Sequence, residues 1–270
     1  MRSLSTVRRS FLVLPLLALA LVAGCQGNRD QQRMSKLSPE SLYERGQKSM
    51  RSSDFTDAVR VFEALTARYP FTPQSRQARI DIIYAYYRLG EKESAKDAAD
   101  TFIRENPTHP RIDYAWYIKG LIDFERTPYT AERWLGVDFD ARPPQSAGDA
   151  FQSLRTLVTR FPKSIYAPDA RRRMIYLRNR LANYELQIAH HYMERGAWVA
   201  AAQRARQTVE QYDGAPAVKE SLRIMIRCYR ELDYKDLAEN TERVFRENYP
   251  DEPVENTTTT RSWWKFWGGR

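Results

Sequence analysis

The chain has 270 residues, 42% of them apolar and 29% charged, with 43 Lys and Arg against 34 Asp and Glu and a net charge of +9. That is enough apolar content for a folded core and too mixed in sign for a disordered tail. Eleven Gly and 14 Pro exclude collagen-like and Pro-rich low-complexity chains, and two Cys exclude a dense disulfide scaffold or a paired-cysteine metal site.

Arg2, Arg8 and Arg9 precede an apolar run from Phe11 to Ala23. The run is short of the roughly 20 residues that span a bilayer, and a basic start before it reads as a secretory signal over residues 1–24. It closes as Leu21-Val22-Ala23-Gly24-Cys25, which resembles a bacterial lipobox: small residues admit the signal peptidase and the thiol of Cys25 is the lipidation point. Several acyl chains on one residue give lasting membrane attachment, at about 0.8 kcal/mol per buried methylene. Gln26 follows where Asp would mark inner-membrane retention, and resemblance to sorted lipoproteins then implies the outer membrane. Residues 25–37 read as a polar tether. The basic surplus is interleaved with acids and forms no dense Lys/Arg block, so no nucleic-acid partner is expected.

Aromatic-proline and related pairs recur as Tyr69-Pro70, Asn106-Pro107, Phe161-Pro162, Tyr212-Asp213 and Tyr249-Pro250. Twelve residues before the second member of each pair stands Ala58, Ala95, Ala150, Ala201 and Ala238. Five residues before it stands Leu65, Phe102, Leu157, Thr208 and Phe245, and Gly46 lies twelve before Ala58. These offsets resemble the tetratricopeptide repeat. A helical hairpin cannot bury its apolar face alone, so hairpins stack; small residues let two helices approach, and Pro ends the second. The fold expected is all-α, a superhelical solenoid of five hairpins over roughly 38–70, 74–107, 110–162, 167–213 and 215–250.

The third hairpin is interrupted. Its first helix, from Asp113 to Phe124, breaks before a second one near Ser146, and residues 125–145 carry Pro128, Gly136, Pro143 and Pro144. A loop of that length inside a compact array is often functional. Its Trp134, Leu135, Val137 and Phe139 are expected to fold back onto neighbouring helices. The fourth hairpin should open with a long helix, because Asp169 to Arg195 holds no Pro or Gly.

Catalysis needs a nucleophile, a base and a stabilising group in mutual reach, and the sequence offers no such set. His190 and His191 are adjacent, so a helix turns them about 100° apart, and they cannot form a metal-binding face. His109 reads as a turn residue and Cys228 as a small buried residue. Asp54, Asp57, Glu91 and Glu93 suit solvated or capping roles. The expectation is no enzyme, no cofactor and no metal.

Other clusters suit binding. Tyr84, Tyr86 and Tyr87, and Tyr114, Trp116 and Tyr117, place rings too close in sequence for one buried stripe. Some of them should line a groove suited to an extended peptide, since rings give large contact at little entropy cost. Arg171, Arg172, Arg173, Arg178 and Arg180 wrap round their helix, as a solvated face or for a carboxylate-bearing partner. Residues 251–270 read as a flexible tail, in which Trp263, Trp264, Phe266 and Trp267 suit a lipid interface, a partner, or no role.

The segments Tyr69-Pro70-Phe71, Asp81 to Tyr87 with Leu89, Asn106-Pro107-Thr108-His109-Pro110, Gly136-Val137-Asp138 and Tyr192 to Val199, with the lipobox and the repeats, resemble the BamD family of outer-membrane protein assembly factors. The likeness spans about 38–250 and leaves the aromatic tail outside. It implies a non-enzymatic subunit of the β-barrel assembly (Bam) machinery, lipid-anchored on the periplasmic face of the outer membrane, at its inner leaflet. An N-terminal half, 38–124, would receive the targeting strand of unfolded barrel proteins, with Tyr84, Tyr87, Tyr114 and Tyr117 as substrate contacts. A C-terminal half, 146–250, would dock the periplasmic domains of BamA through Arg195, with Glu194 and Trp198 beside it. The loop 125–145 would help hold other Bam lipoproteins. A generic periplasmic repeat adaptor for envelope or cell-division proteins would share the lipobox and repeats but lack the Asn-Pro-Thr-His-Pro and Glu-Arg-Gly-Ala-Trp segments. A repeat-bearing envelope hydrolase would need a catalytic module for which the hairpins leave no room.

Overall fold

A computed structural model describes residues 32–124 and 145–255. The lipobox with Cys25, the segment 125–144 and the aromatic tail lie outside the described residues. Ten helices of at least 13 residues fall among them. In chain order they are α1 (Pro39–Arg51), α2 (Phe55–Arg68), α3 (Pro73–Leu89), α4 (Lys92–Glu105), α5 (Ile112–Phe124), α6 (Gln145–Arg160), α7 (Ala167–Glu194), α8 (Trp198–Gln211), α9 (Ala217–Glu231) and α10 (Lys235–Asn248). They form two compact units that divide between His109 and Pro110, with α1–α4 in the first and α5–α10 in the second. The division places Tyr114 and Tyr117, on α5, in the second unit. Within each unit every helix packs on the next, and α1 also meets α3, as α7 meets α9.

The repeat offsets explain the packing. Ala58, Ala95, Ala150, Ala201 and Ala238 are all buried, as are Leu65, Phe102, Leu157, Thr208 and Phe245. The second set has a further use, because each of its carbonyls accepts the backbone N–H that ends its helix. Tyr69, Asn106, Phe161, Tyr212 and Tyr249 donate these bonds at 2.8–3.1 Å. Four of those five residues precede Pro, which cannot continue the helix. Tyr212 precedes Asp213 and closes α8 in the same way.

Gly46 and Gly120 mark the closest approaches. A Cβ on Gly46 would stand 2.3 Å from the Phe62 ring, and one on Gly120 would stand 2.5 Å from the Leu154 side chain. Phe62 and Leu154 each lie four residues after their register alanine, so the same contact recurs in the first and third pairs. The turns between paired helices also repeat. Ser53, Gly90, Gly196 and Asp233 all take a left-handed backbone, with φ of 60°, 76°, 69° and 56°. The residue after each is the N-cap of the next helix. Gly pays least for this conformation.

The long helix expected from Asp169 to Arg195 is present as α7. Its arginines are not all solvated. Arg171 and Arg172 are exposed. Arg178 instead donates from Nη1 to the Asp213 carbonyl and from Nη2 to the Gly214 carbonyl, both at 2.8 Å, and so pins the turn between α8 and α9. Cys228 is a free thiol, fully buried in the core of the second unit, and burial pushes it up to about 11. Its thiolate is therefore scarce at neutral pH.

Candidate functional site

The sequence-expected docking residues sit on the turn between α7 and α8. Arg195 ends α7; its backbone N–H bonds the Tyr192 carbonyl at 3.2 Å. Gly196 then takes φ +69° and Ala197 bonds back to Tyr192 at 2.9 Å, which turns the chain sharply into α8. The tight turn leaves the Glu194 and Arg195 side chains exposed. Arg195 has no ion-pair partner among the described residues. Trp198 is half-buried against the core of the second unit, with the Arg227 guanidinium 6.0 Å from its ring centroid. The turn thus presents an exposed cation with no ion-pair partner among the described residues, three positions before a half-buried Trp. Arg suits this, because its fork can meet a carboxylate with two parallel hydrogen bonds.

The candidate tyrosines fall into separate clusters. In the first unit, Tyr84 meets the Phe55 ring edge-on at 6.2 Å and lies 6.4 Å from Tyr87. Arg88 donates to the Tyr84 hydroxyl at 2.6 Å and lies 4.7 Å over the Phe55 ring. All three rings are half-buried and Arg88 is exposed, so the cluster has an apolar floor with a cation at its rim. Phe55 and Arg88 were not singled out from sequence. Phe55 comes from a different helix, and its ring meets Tyr84 only once α2 packs on α3.

In the second unit, Tyr117 stacks on Tyr166 at 4.7 Å and Tyr114 lies 5.4 Å from the same ring, with Arg111 4.8 Å over Tyr114. The Tyr117 hydroxyl donates to Asp169 at 2.8 Å, and Arg173 donates to the same carboxylate at 2.5 Å. Burial pushes the Asp169 carboxyl upward, but the bonds from Arg173 and Tyr117 outweigh it and hold the group below the ordinary range. Burial, then the bond to Asp169, pushes Tyr117 upward. Tyr117 therefore ties α5 to α7, and only part of its ring is open to another chain.

Tyr86, between the two candidates of α3, lines an open cavity of about 530 Å³ with Glu63, Arg79 and Phe102. Its hydroxyl donates to Glu63 at 2.6 Å, and burial with that bond pushes it up to about 12. His190 is half-buried on α7, and burial holds it below its ordinary value. The His109 ring packs edge-on against Phe102 at 5.2 Å in the turn after α4. Phe71, in the turn between α2 and α3, is 90% exposed, and Ile165, between α6 and α7, is 81% exposed. Among the described residues no group of His, Cys, Asp or Glu is placed to hold a metal, and no helix is long and apolar enough to cross a membrane.

The family model described as YfiO, outer membrane lipoprotein, matches residues 35–244. The outer membrane protein assembly factor BamD of Neisseria gonorrhoeae is 38% identical over 93% of this chain and 96% of its own. BamD of Vibrio cholerae is 35% identical over 86% of this chain and 96% of its own. Among solved structures, the MamA protein matches 80% of this chain and 98% of its own at 14% identity, with a TM-score of 0.34.

Proposed function

The chain belongs to the YfiO family of outer-membrane lipoproteins, to which the BamD assembly factors correspond, and from that premise we propose how it takes part in assembling outer-membrane proteins. It is a non-enzymatic binding protein. Once the signal 1–24 is removed, acyl chains on Cys25 anchor it to the inner leaflet of the outer membrane, with residues 25–37 as the tether. The first unit receives unfolded barrel clients, and the cluster of Tyr84, Tyr87, Phe55 and Arg88 provides apolar contact beside a cation. Holding the client there keeps its unpaired strand edges from pairing with one another. The second unit docks the periplasmic domains of BamA through Arg195, Glu194 and Trp198. The segment 125–145 helps hold other Bam lipoproteins.

The observation that carries the docking reading is Arg195 itself. An exposed guanidinium without a partner, set beside a left-handed glycine and a half-buried Trp, is costless to expose and ready to pair. No described residue pairs with it, which supports a role for its charge in recognition. The family resemblance pairs Arg195 with an acidic residue of BamA, so Arg195→Glu is expected to weaken binding to the BamA periplasmic domains by about 2 kcal/mol, about thirtyfold, because two like charges then face each other across the interface. Calorimetric titration measures it. Helical circular dichroism of the variant should match the parent. Unchanged affinity would remove Arg195 from the docking surface.

A further inference from the structure

The last of the described helices, α10, carries an apolar stripe that its counterparts lack. One residue before and six after each register alanine stand Asp57 and Ala64, Ser94 and Thr101, Asp149 and Thr156, Ala200 and Gln207, then Leu237 and Val244. Only α10 places two large apolar residues there, and they are 47% and 42% exposed. Tyr234, at the start of α10 and 50% exposed, lengthens the stripe to about 15 Å at 1.5 Å per residue. The end of a helical array ordinarily needs a polar outer face to stay soluble, so this stripe calls for a cover.

The path of the chain brings a cover to it. After α10 the backbone doubles back along α9. Glu252 accepts from Lys219 at 2.8 Å and from Arg223 at 3.0 Å, and the Pro253 carbonyl accepts from Arg223 at 2.9 Å. Val254 packs on the core of the second unit, and Glu255 accepts from Arg230 at 2.6 Å. The contacts climb α9 from Lys219 to Arg230, toward the end where α10 begins; there Tyr234 bonds the Tyr229 carbonyl at 2.8 Å. Arg230 also bonds Glu242 at 2.6 Å, so Glu255 lies beside α10 on the Glu242 flank, about 140° round the helix from Leu237. Residues 256–262 separate it from Trp263, a stretch that reaches up to about 23 Å when extended. That is enough to round the start of α10 and run along it.

Charge agrees with reach. The segment from Arg261 to Arg270 holds three cations, no acid and four aromatic rings. Around the start of α10, Glu231, Asp233, Asp236 and Glu239 are exposed; of the two bases there, Lys235 pairs with Asp233 at 3.4 Å and Arg230 with Glu242 and Glu255 at 2.6 Å. Glu231, Asp236 and Glu239 have no ion-pair partner among the described residues.

We propose that the segment Arg261–Arg270 folds back on its own chain, its rings covering Tyr234, Leu237 and Val244 and its cations facing Glu231 and Asp236. The tail is then an intramolecular cap for the end of the second unit. This inference stands apart from BamA docking, since none of its residues belongs to the turn at Arg195.

The test is trypsin cleavage after Lys265, followed by mass spectrometry. It uses the whole chain from residue 25, with Cys25→Ser so that no acyl chain competes, in detergent-free buffer. In the double variant Leu237→Glu, Val244→Glu the cleavage should be about tenfold faster than in the parent, because proteolysis follows the population of the open form. Trp264→Ser with Trp267→Ser should release the site equally while leaving every described residue untouched. Protection in the parent should also fall at about 1 M salt, where screening acts within ~3 Å. Equal rates in parent and variants would overturn the proposal. So would protection that grows with protein concentration, which assigns the stripe to a second copy. Protection that appears only with vesicles of phosphatidylethanolamine and phosphatidylglycerol would overturn it too, and assign the tail to a lipid surface.

Discussion

Gly46→Leu is expected to lower the stability of the first unit by about 3 kcal/mol, the upper part of the range for overfilling a packed core. A bare Cβ at this position already stands 2.3–2.7 Å from three atoms of the Phe62 ring. That ring is fully buried among Leu42, Ala58 and Leu65, so it has nowhere to move. Phe62→Ala alone should cost about 3–5 kcal/mol through the cavity it leaves. The two changes together should cost clearly less than their sum, because the new Leu fills the space of the lost ring; coupled neighbours differ from additivity by up to about 3 kcal/mol. Urea unfolding of the four proteins measures the coupling. Strict additivity would mean that α1 and α2 do not meet through this pair.

Arg204→Ala is expected to cost about 2 kcal/mol. Glu185 is a buried carboxylate in the middle of α7, 7% exposed, and Arg204 of α8 bonds it at 2.9 Å. Removing one partner of a buried pair leaves an uncompensated charge, which ordinarily costs about 3–5 kcal/mol. The smaller figure applies because the Arg204 side chain is 38% exposed and water can reach the gap. Hydrogen bonding to Glu185, against the opposing pull of burial, raises the Arg204 guanidinium above its ordinary value. Replacing both residues with Leu should restore most of the loss, since the buried charge disappears with its partner. Thermal unfolding of the single and double variants distinguishes this from a simple loss of packing, in which the double variant would be the least stable.

The repeat was legible in the sequence because it rests on volume and on proline. Small residues at Ala58, Ala95 and their counterparts are forced by helix approach, and a residue before Pro must leave the helix; both constraints leave a fixed spacing. The long helix α7 was legible for the converse reason, since nothing in it breaks a helix. Gly120 was harder to read, because the inserted residues 125–144 shift it out of the spacing that exposed Gly46. Its partner Leu154 identifies it only after packing. Ser53 and Asp233 share the left-handed turn of Gly90 and Gly196, but their residue types do not announce it. The role of Arg178 was hidden for a different reason. An arginine in a run of arginines reads as solvated until the carbonyls of Asp213 and Gly214 are placed against it.

The candidate site divides along the same line. Arg195 was singled out by resemblance, and its physical case comes from exposure and an unpaired charge, which no pattern encodes. Tyr84 and Tyr87 were visible as rings too crowded for one stripe, while their partner Phe55 enters from another helix. Tyr117 looked equally available in the sequence. Its bond to Asp169, supported by Arg173, shows a residue largely engaged in holding α5 to α7.

The central claim is that this chain promotes barrel assembly by binding alone. The direct measurement is the rate at which an unfolded outer-membrane barrel protein inserts into liposomes bearing BamA, with and without the lipidated chain and without any nucleotide. Insertion should accelerate when the chain is added, and the gain should vanish with Arg195→Glu. Insertion that proceeds equally fast in its absence would contradict the account.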